Sequence, residues 1–240
     1  MSKNTLNILK ILVIFVIGTI GGIFADQILW PYFIERPLFY RYRLEQSPVY
    51  INETKEITIQ ENTALVDAVG KVEKVIVGIR SKTAAGKILE GSGLIVTSDG
   101  LVLTLDNLAP QASQTTLFLD GKEIIPKVLQ RKDNLALLKI EETGLATIAF
   151  SDFGKIKLGE RVFLVGKIFE AKNPPYTLVN EGIIKAFNEN LIRTNIFEKN
   201  TLQGSSLFDI EGYLIGLNTI DSEGKVTAIS IKTIKEFLGF

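Results

Sequence analysis

Histidine and cysteine are both absent from the 240 residues. The missing histidine carries the larger consequence. Imidazole is the side chain whose ordinary pKa lies near neutrality, so it is the usual general base. A Ser-His-Asp or Cys-His site cannot be assembled from this chain alone, and imidazole metal sites are excluded with it. Without cysteine there is no disulfide and no thiolate zinc site, although that absence does not identify a compartment. Net charge is missing too: 27 Lys and Arg balance 27 Asp and Glu. Nothing in that balance points to nucleic acid or to long-range steering of a charged substrate. Gly91-Ser92-Gly93 is not a phosphate loop, because no Lys follows and no parallel βαβ context surrounds it. Asp99-Gly100 and Glu211-Gly212 are turn pairs rather than metal ligands. No cofactor and no metal is expected.

Apolar sequence is plentiful, at 46% of residues, enough for one sizeable domain and an appendage. The run Leu6–Ala25 is 20 residues long and interrupted chiefly by Lys10 and Thr19. That is about the length a bilayer core requires. Lys3 and Lys10 lie at its start, which places the N-terminus in the cytoplasm. Asp26 ends it, and Trp30, Tyr32 and Phe33 follow as an interfacial aromatic belt would. A cleaved signal peptide is the competing reading, but Ile23-Phe24-Ala25 lacks the small-x-small pattern. Residues 1–30 are therefore read as a cytoplasmic tip and retained single-pass anchor. Gly18 and Gly22 are read as ordinary small residues of a membrane helix. Residues 31–55, with Pro31, Pro37 and Pro48, read as a juxtamembrane stalk. Its Arg36, Arg41 and Arg43 run against the positive-inside rule.

Residues 56–240 carry many short apolar runs separated by turn signals. Lys55–Gln60 alternates as a strand, and Asn62 or Thr63 caps a helix over Ala64–Glu73. Val75–Arg80 is a β-branched run. Two strands within Gly91–Leu105 flank a Ser98-Asp99-Gly100 turn, and Thr115–Leu119 and Glu123–Leu129 flank Asp120-Gly121. Leu135–Ile140 follows. After a connector over 142–158 come strands at Arg161–Lys167, Tyr176–Ala186, Leu191–Ile196, Ser206–Ile210, Tyr213–Thr219 and Lys225–Ile229. Ile231–Leu238 fits a closing helix. The expected class is all-β, in two halves at about 75–141 and 159–230, with helices only at the ends.

Five segments, in order and in register, resemble the protease domain of HtrA/Deg-type trypsin-like serine peptidases. They are ALVDAVGKVEKVIVGI at Ala64–Ile79, GSGLIVTSDGLVLTLDNLA at Gly91–Ala109, DNLALLKI at Asp133–Ile140, FSDFGKIKLGERVFLVGK at Phe150–Lys167, and Leu191–Asn218, which holds LQGSSLFDIEGYLIGLN. The resemblance covers about residues 64–238 and implies a trypsin-like double β-barrel. The chain ends at Phe240, just past the closing helix, so no PDZ module is expected.

The resemblance also assigns roles, and each assigned position is vacant. The general base falls on Asn107, and an amide has no useful basicity. The orienting carboxylate falls on Asn134; Asp133 beside it points to the opposite face, as adjacent strand residues do, and cannot substitute unless the strand slips or bulges. The nucleophile falls on Gln203. The oxyanion-loop glycine two residues earlier is Thr201, while Gly204 is kept. Ser205 and Ser206 stand two and three residues late, and a shifted nucleophile there would need a base such as Lys199 or Lys225. The three amides could form a hydrogen-bonded cluster filling the old cleft, or be independent surface residues.

The leading reading is thus a membrane-anchored serine peptidase homologue that no longer hydrolyses peptides and binds a peptide or protein partner, with a homo-oligomer left open. Its soluble domain would be extracytoplasmic. HtrA-like peptidases hold substrate as an added β-strand, which uses backbone hydrogen bonds and outlives the triad. Two other readings are an active peptidase with an unorthodox site and a structural membrane-tethered spacer.

Overall fold

The computed structural model describes residues 3–30, 61–170 and 174–240. The chain falls into two units, residues 1–59 and 60–240. In the first, helix α1 (Lys3–Phe24) runs into a π-helical turn at Ala25–Leu29. Asn4–Leu29 forms 26 residues of mean hydropathy 2.5, long and apolar enough to cross a membrane. Thr19 bonds back to the carbonyls of Phe15 and Val16, so its hydroxyl needs no outside partner. The stalk and the Lys55–Gln60 strand read from the sequence lie outside the described residues.

The second unit opens with α2 (Glu61–Val72), which buries Ala68 and Val72. Thirteen strands follow in two groups. The first group is β1 (Ile76–Lys82), β2 (Ile88–Ile95), β3 (Leu101–Leu105), β4 (Gln114–Leu119), β5 (Lys122–Ile124), β6 (Lys127–Lys132) and β7 (Leu135–Lys139). These form one sheet in the order β5-β4-β1-β2-β3-β7-β6. β1 reads Ile-Val-Gly-Ile at its start and is buried there on both faces, as a central strand must be.

The second group is β8 (Arg161–Ile168), β9 (Tyr176–Phe187), β10 (Leu191–Phe197), β11 (Ser206–Asp209), β12 (Leu214–Ile220) and β13 (Lys225–Ser230). It closes into a barrel, β10-β13-β12-β11-β8-β9. Helix α3 (Ile231–Leu238) drives Ile231, Ile234 and Phe237 into the core and stops at Gly239, which is left-handed.

The expectation of two barrels holds with one difference. The first half is a seven-stranded sheet whose edges, β5 and β6, are joined by chain and not by a ladder. The sequence reading ran Glu123–Leu129 as one strand. Pro126 lies inside it, lacks an N–H and cannot continue a ladder. The run therefore breaks into β5, which pairs with β4, and β6, which pairs with β7. Closure fails at that corner.

The two halves meet along β1, β2 and β8. Ser92 on β2 joins three elements at once. Its N–H donates to the Gln203 carbonyl at 2.9 Å. Its carbonyl accepts from the Thr104 hydroxyl at 2.8 Å. Its hydroxyl accepts from the Lys167 N–H of β8, also at 2.8 Å. This fully buried serine fixes β2 against the loop before β11.

Candidate functional site

The loop between β10 and β11 is a 3₁₀ turn, Asn200–Leu202, followed by Gln203, Gly204 and Ser205. Leu202 is fully buried and anchors it. The Gln203 N–H donates to the Asn200 carbonyl at 3.2 Å, and the Ser205 N–H to the Leu202 carbonyl at 3.1 Å. β12 holds the far side: the Gly204 N–H donates to Asn218 O at 2.9 Å, and the Asn218 N–H to Ser205 O at 2.7 Å. Two glycines permit this packing. Gly204 is left-handed at φ +72°, and a Cβ there would lie 2.3 Å from the Ser92 carbonyl. A Cβ on Gly91 would lie 2.5 Å from the Gln203 carbonyl. No real Cβ sits that close to backbone oxygen, so both positions require glycine.

Gln203 turns its side chain back into the protein. Its Nε2 donates to Asn200 Oδ1 at 2.7 Å and to the Ile220 carbonyl of β12 at 2.6 Å. Its Oε1 is buried and receives no donor among the described residues. Asn107 sits in the 3₁₀ turn Asp106–Leu108 that follows β3, exposed, on the wall of the same cleft as Gln203 and Thr201.

Asn134 is placed differently from the sequence reading. With Asp133 it forms the two-residue turn between β6 and β7, at φ +64° and +54°. Neither residue lies on a strand, so strand alternation does not separate them. Asn and Asp tolerate left-handed backbone better than other non-glycine residues, which accounts for both identities at this turn. The Asn134 carbonyl accepts the Asp106 N–H at 3.0 Å and so fixes the turn that carries Asn107. Among the described residues no direct hydrogen bond joins Asn107, Asn134 and Gln203.

Ser205 and Ser206 are 0% exposed. The Ser205 hydroxyl accepts from Asn218 Nδ2 at 3.1 Å, and the Ser206 hydroxyl has no partner among the described residues. Lys199 is exposed, and neither it nor Lys225 bonds a serine. The Lys225 ammonium is held by Glu223, whose hydrogen bond pushes its pKa up and keeps it protonated, with no lone pair to take a proton. In this arrangement neither serine combines accessible surface with a hydrogen-bonded base, the two features an attacking hydroxyl needs.

An open cleft of about 640 Å³ lies beside this loop. The β1–β2 hairpin forms one wall, Asn107, Leu108 and Pro110 the second, and Asn200, Thr201 and Gln203 the third. Among the described residues β2 presents an unpaired edge to it. Because the Ser92 N–H leaves β1 for Gln203, the opposed pair Gly78↔Ser92 is not hydrogen-bonded. By alternation Arg80↔Glu90 and Lys82↔Ile88 are not either. The N–H and C=O groups of Ile88 and Glu90 therefore point away from β1, toward the cleft. β3 covers only Leu94 and Ile95 of β2.

Sequence reasoning missed this edge and missed Asn200 and Ile220 as the partners of Gln203. A signal for the edge was present. The 98–100 turn sets the β2–β3 register, and β3 must leave at Asp106, so any β2 residues before Gly91 lack a neighbour on that side.

Residues 91–217, more than half of the chain, match the trypsin-like peptidase domain family. The chain is similar to the probable periplasmic serine endoprotease DegP-like of Ectopseudomonas mendocina (strain ymp), 30% identical over 140 residues, which are 54% of this chain and 29% of that protein. It is similar also to the DegP-like protein of Hahella chejuensis (strain KCTC 2396), 31% identical over 140 residues, again 54% of this chain and 29% of the relative. The matched segment is thus under a third of the length of these relatives. Among solved structures, the HtrA-type protease AlgW with tripeptide superposes with a TM-score of 0.65 at 24% identity, covering 73% of this chain and 62% of that one. A second AlgW structure, with decapeptide, gives 0.64 at 22% identity, covering 73% and 65%. That likeness establishes a shared fold.

Proposed function

The chain belongs to the trypsin-like peptidase family, with HtrA-type proteins as its relatives, and from that premise we propose that it binds extended peptides without hydrolysing them. One observation carries the loss of chemistry. The backbone N–H of Gln203, at the position of the family's nucleophile, is spent on the Asn200 carbonyl. An oxyanion hole needs donors aimed at empty space, where charge develops. Here the donor is engaged and a carbonyl faces it. Asn107, Asn134 and Gln203 stand at the base, orienting and nucleophile positions and supply none of those roles, and the chain has no histidine to recruit.

The binding half of the proposal rests on backbone. Ile88–Glu90 offers an unpaired strand edge inside a cleft, and an extended peptide added there gains main-chain hydrogen bonds that need no particular side chain. The AlgW structures hold a tripeptide and a decapeptide, which supports the peptide class of ligand. The N-terminal helix serves as a retained single-pass anchor, with the N-terminus in the cytoplasm. The domain then lies on the extracytoplasmic side, consistent with relatives named periplasmic.

The test uses the full chain in detergent micelles. A serine-directed fluorophosphonate should not label it, and casein should survive incubation with it. Labelling that disappears in Ser205→Ala or Ser206→Ala would overturn the loss of chemistry and favour an unorthodox peptidase. Fluorescent extended peptides from a random-sequence library should bind. Absence of binding for every peptide at millimolar concentration would leave the spacer reading.

A further inference from the structure

We infer that the cleft takes the free amino-terminal end of an extended polypeptide and excludes internal stretches of chain. This rests on the peptide-binding reading above. The direction of the ligand follows from the line that β3 vacates. β3 runs beside β2 at Leu94↔Leu103 and Ile95↔Val102, then turns out at Asp106. A strand added at Ile88–Glu90 prolongs that same line. The ladders of this sheet are all antiparallel, so the added strand keeps the direction of β3. It begins beside Leu108 and Gln203 and runs outward toward Lys87.

Upstream of that first residue the surface is shut. Leu108 fills the space above Gly91 and Gly204, where its methyl groups lie 2.6 and 2.9 Å from the positions a Cβ would take. On the far side of the loop the outward carbonyl of Ile220 is already bonded to Gln203 Nε2. The cleft is lined by neither β12 nor β13. A chain continuing upstream along β12 would find the Ile220 carbonyl taken and would have to displace the Gln203 side chain. A chain that starts there meets no obstacle.

The chemistry at this closed end suits an α-ammonium. Asn107 offers a carboxamide with no partner among the described residues, and the edge carbonyl of Glu90 is unpaired. The Glu90 carboxylate is held by Arg80 at 2.9 Å and is not free to act as a counter-ion. The remaining acceptors are neutral, and three N–H donors on one nitrogen satisfy them. Lys87, the cation of the cleft, stands at the other end.

The test is fluorescence anisotropy with the full chain in micelles. A peptide selected for binding carries its fluorophore at the C-terminus and is made in three forms: free amino terminus, N-acetylated, and extended upstream by four residues. The free form should bind at least tenfold more tightly than either other form. Gln203→Ala, which frees the Ile220 carbonyl, should recover binding of the extended form to within about threefold of the free form. Equal affinities for the three forms in the wild-type protein would overturn the inference while leaving peptide binding intact. Stronger binding of the acetylated form would do the same and point to an internal segment as ligand. If no form and no library peptide binds, both this inference and the reading beneath it fail.

Discussion

Two neighbouring proline substitutions on β2 should behave oppositely, because ladder bonds alternate along a strand. Leu89 faces Ser81 across a hydrogen-bonded pair, whereas Glu90 faces Arg80 across a pair without ladder bonds. Leu89→Pro removes an N–H that the Ser81 carbonyl needs. Ser81 is 0% exposed, so its carbonyl gains no water in exchange. A lost bond of about 1 kcal/mol and an unpaired buried carbonyl of about 1–3 kcal/mol sum to about 2–4 kcal/mol of destabilisation. Glu90→Pro removes an N–H that meets only the cleft. It forfeits the Arg80–Glu90 ion pair, whose side chains are 37% and 25% exposed; such a pair contributes about 0–1 kcal/mol. Proline also restricts the unfolded chain and returns up to about 1 kcal/mol. Net stability should move by less than about 1 kcal/mol. Peptide affinity should fall roughly two- to twelvefold, from one lost main-chain bond of about 0.5–1.5 kcal/mol. Glu90→Gln, which loses the ion pair and keeps the N–H, should bind as the wild type does. Urea melts and anisotropy measure both quantities. If Glu90→Pro unfolds the protein as much as Leu89→Pro does, the assignment of the free edge is wrong.

Gly204→Ala should cost about 3–5 kcal/mol in urea melts, from a left-handed backbone and a Cβ pressed on the Ser92 carbonyl. A loss below about 1 kcal/mol would show that the loop is free to shift. Asp99 has its pKa lowered to about 2, chiefly by the hydrogen bond from Lys139. A depressed carboxylate adds stability that is full above the unfolded value of about 3.9 and vanishes as pH falls through about 2. Asp99→Asn should therefore flatten the Tm–pH curve between about pH 2 and 5 and leave its shape above pH 6 unchanged. Restoring the site in steps tests its vacancy: Gln203→Ser alone should remain unlabelled by fluorophosphonate. Adding Asn107→His and Asn134→Asp should permit slow labelling, and Thr201→Gly should raise the rate at least tenfold. Labelling of the single variant as fast as the triple would contradict the assigned base position.

Much of this fold was legible because turn chemistry and apolar runs agree locally. Ile231–Leu238 and the Ser98-Asp99-Gly100 hairpin appear where the residues place them. The run Glu123–Leu129 misled because its apolar content outweighed one proline, and the true strand continues to Lys132. Ending that strand early also hid the Asp133-Asn134 hairpin turn, a short-loop signal the sequence did contain. The collapse of the loop at Gln203 was not legible. Whether its N–H meets the Asn200 carbonyl or open space depends on the rotation of one peptide plane, which residue identity does not encode. The Gln203 side chain presents the same difficulty: its partners, Asn200 and Ile220, are set by packing across a closed barrel.

Hydrolysis and binding make different demands on the same scaffold. Hydrolysis needs particular side chains at several positions and an amide kept empty. On the proposed reading Asn107, Asn134, Thr201 and Gln203 meet none of those demands, and the Gln203 N–H is engaged by the Asn200 carbonyl. The β2 edge depends on none of their side chains. It exists because Ser92 turns its N–H to the loop and because β3 leaves after five residues while β2 runs for eight. Substitution at the former catalytic positions therefore cannot erase it. Gln203 also steadies the edge through its backbone, since its carbonyl receives the Ser92 N–H. On the proposed reading the closed loop and the kept groove are one packing solution, and a variant that reopens the loop should loosen β2 as well.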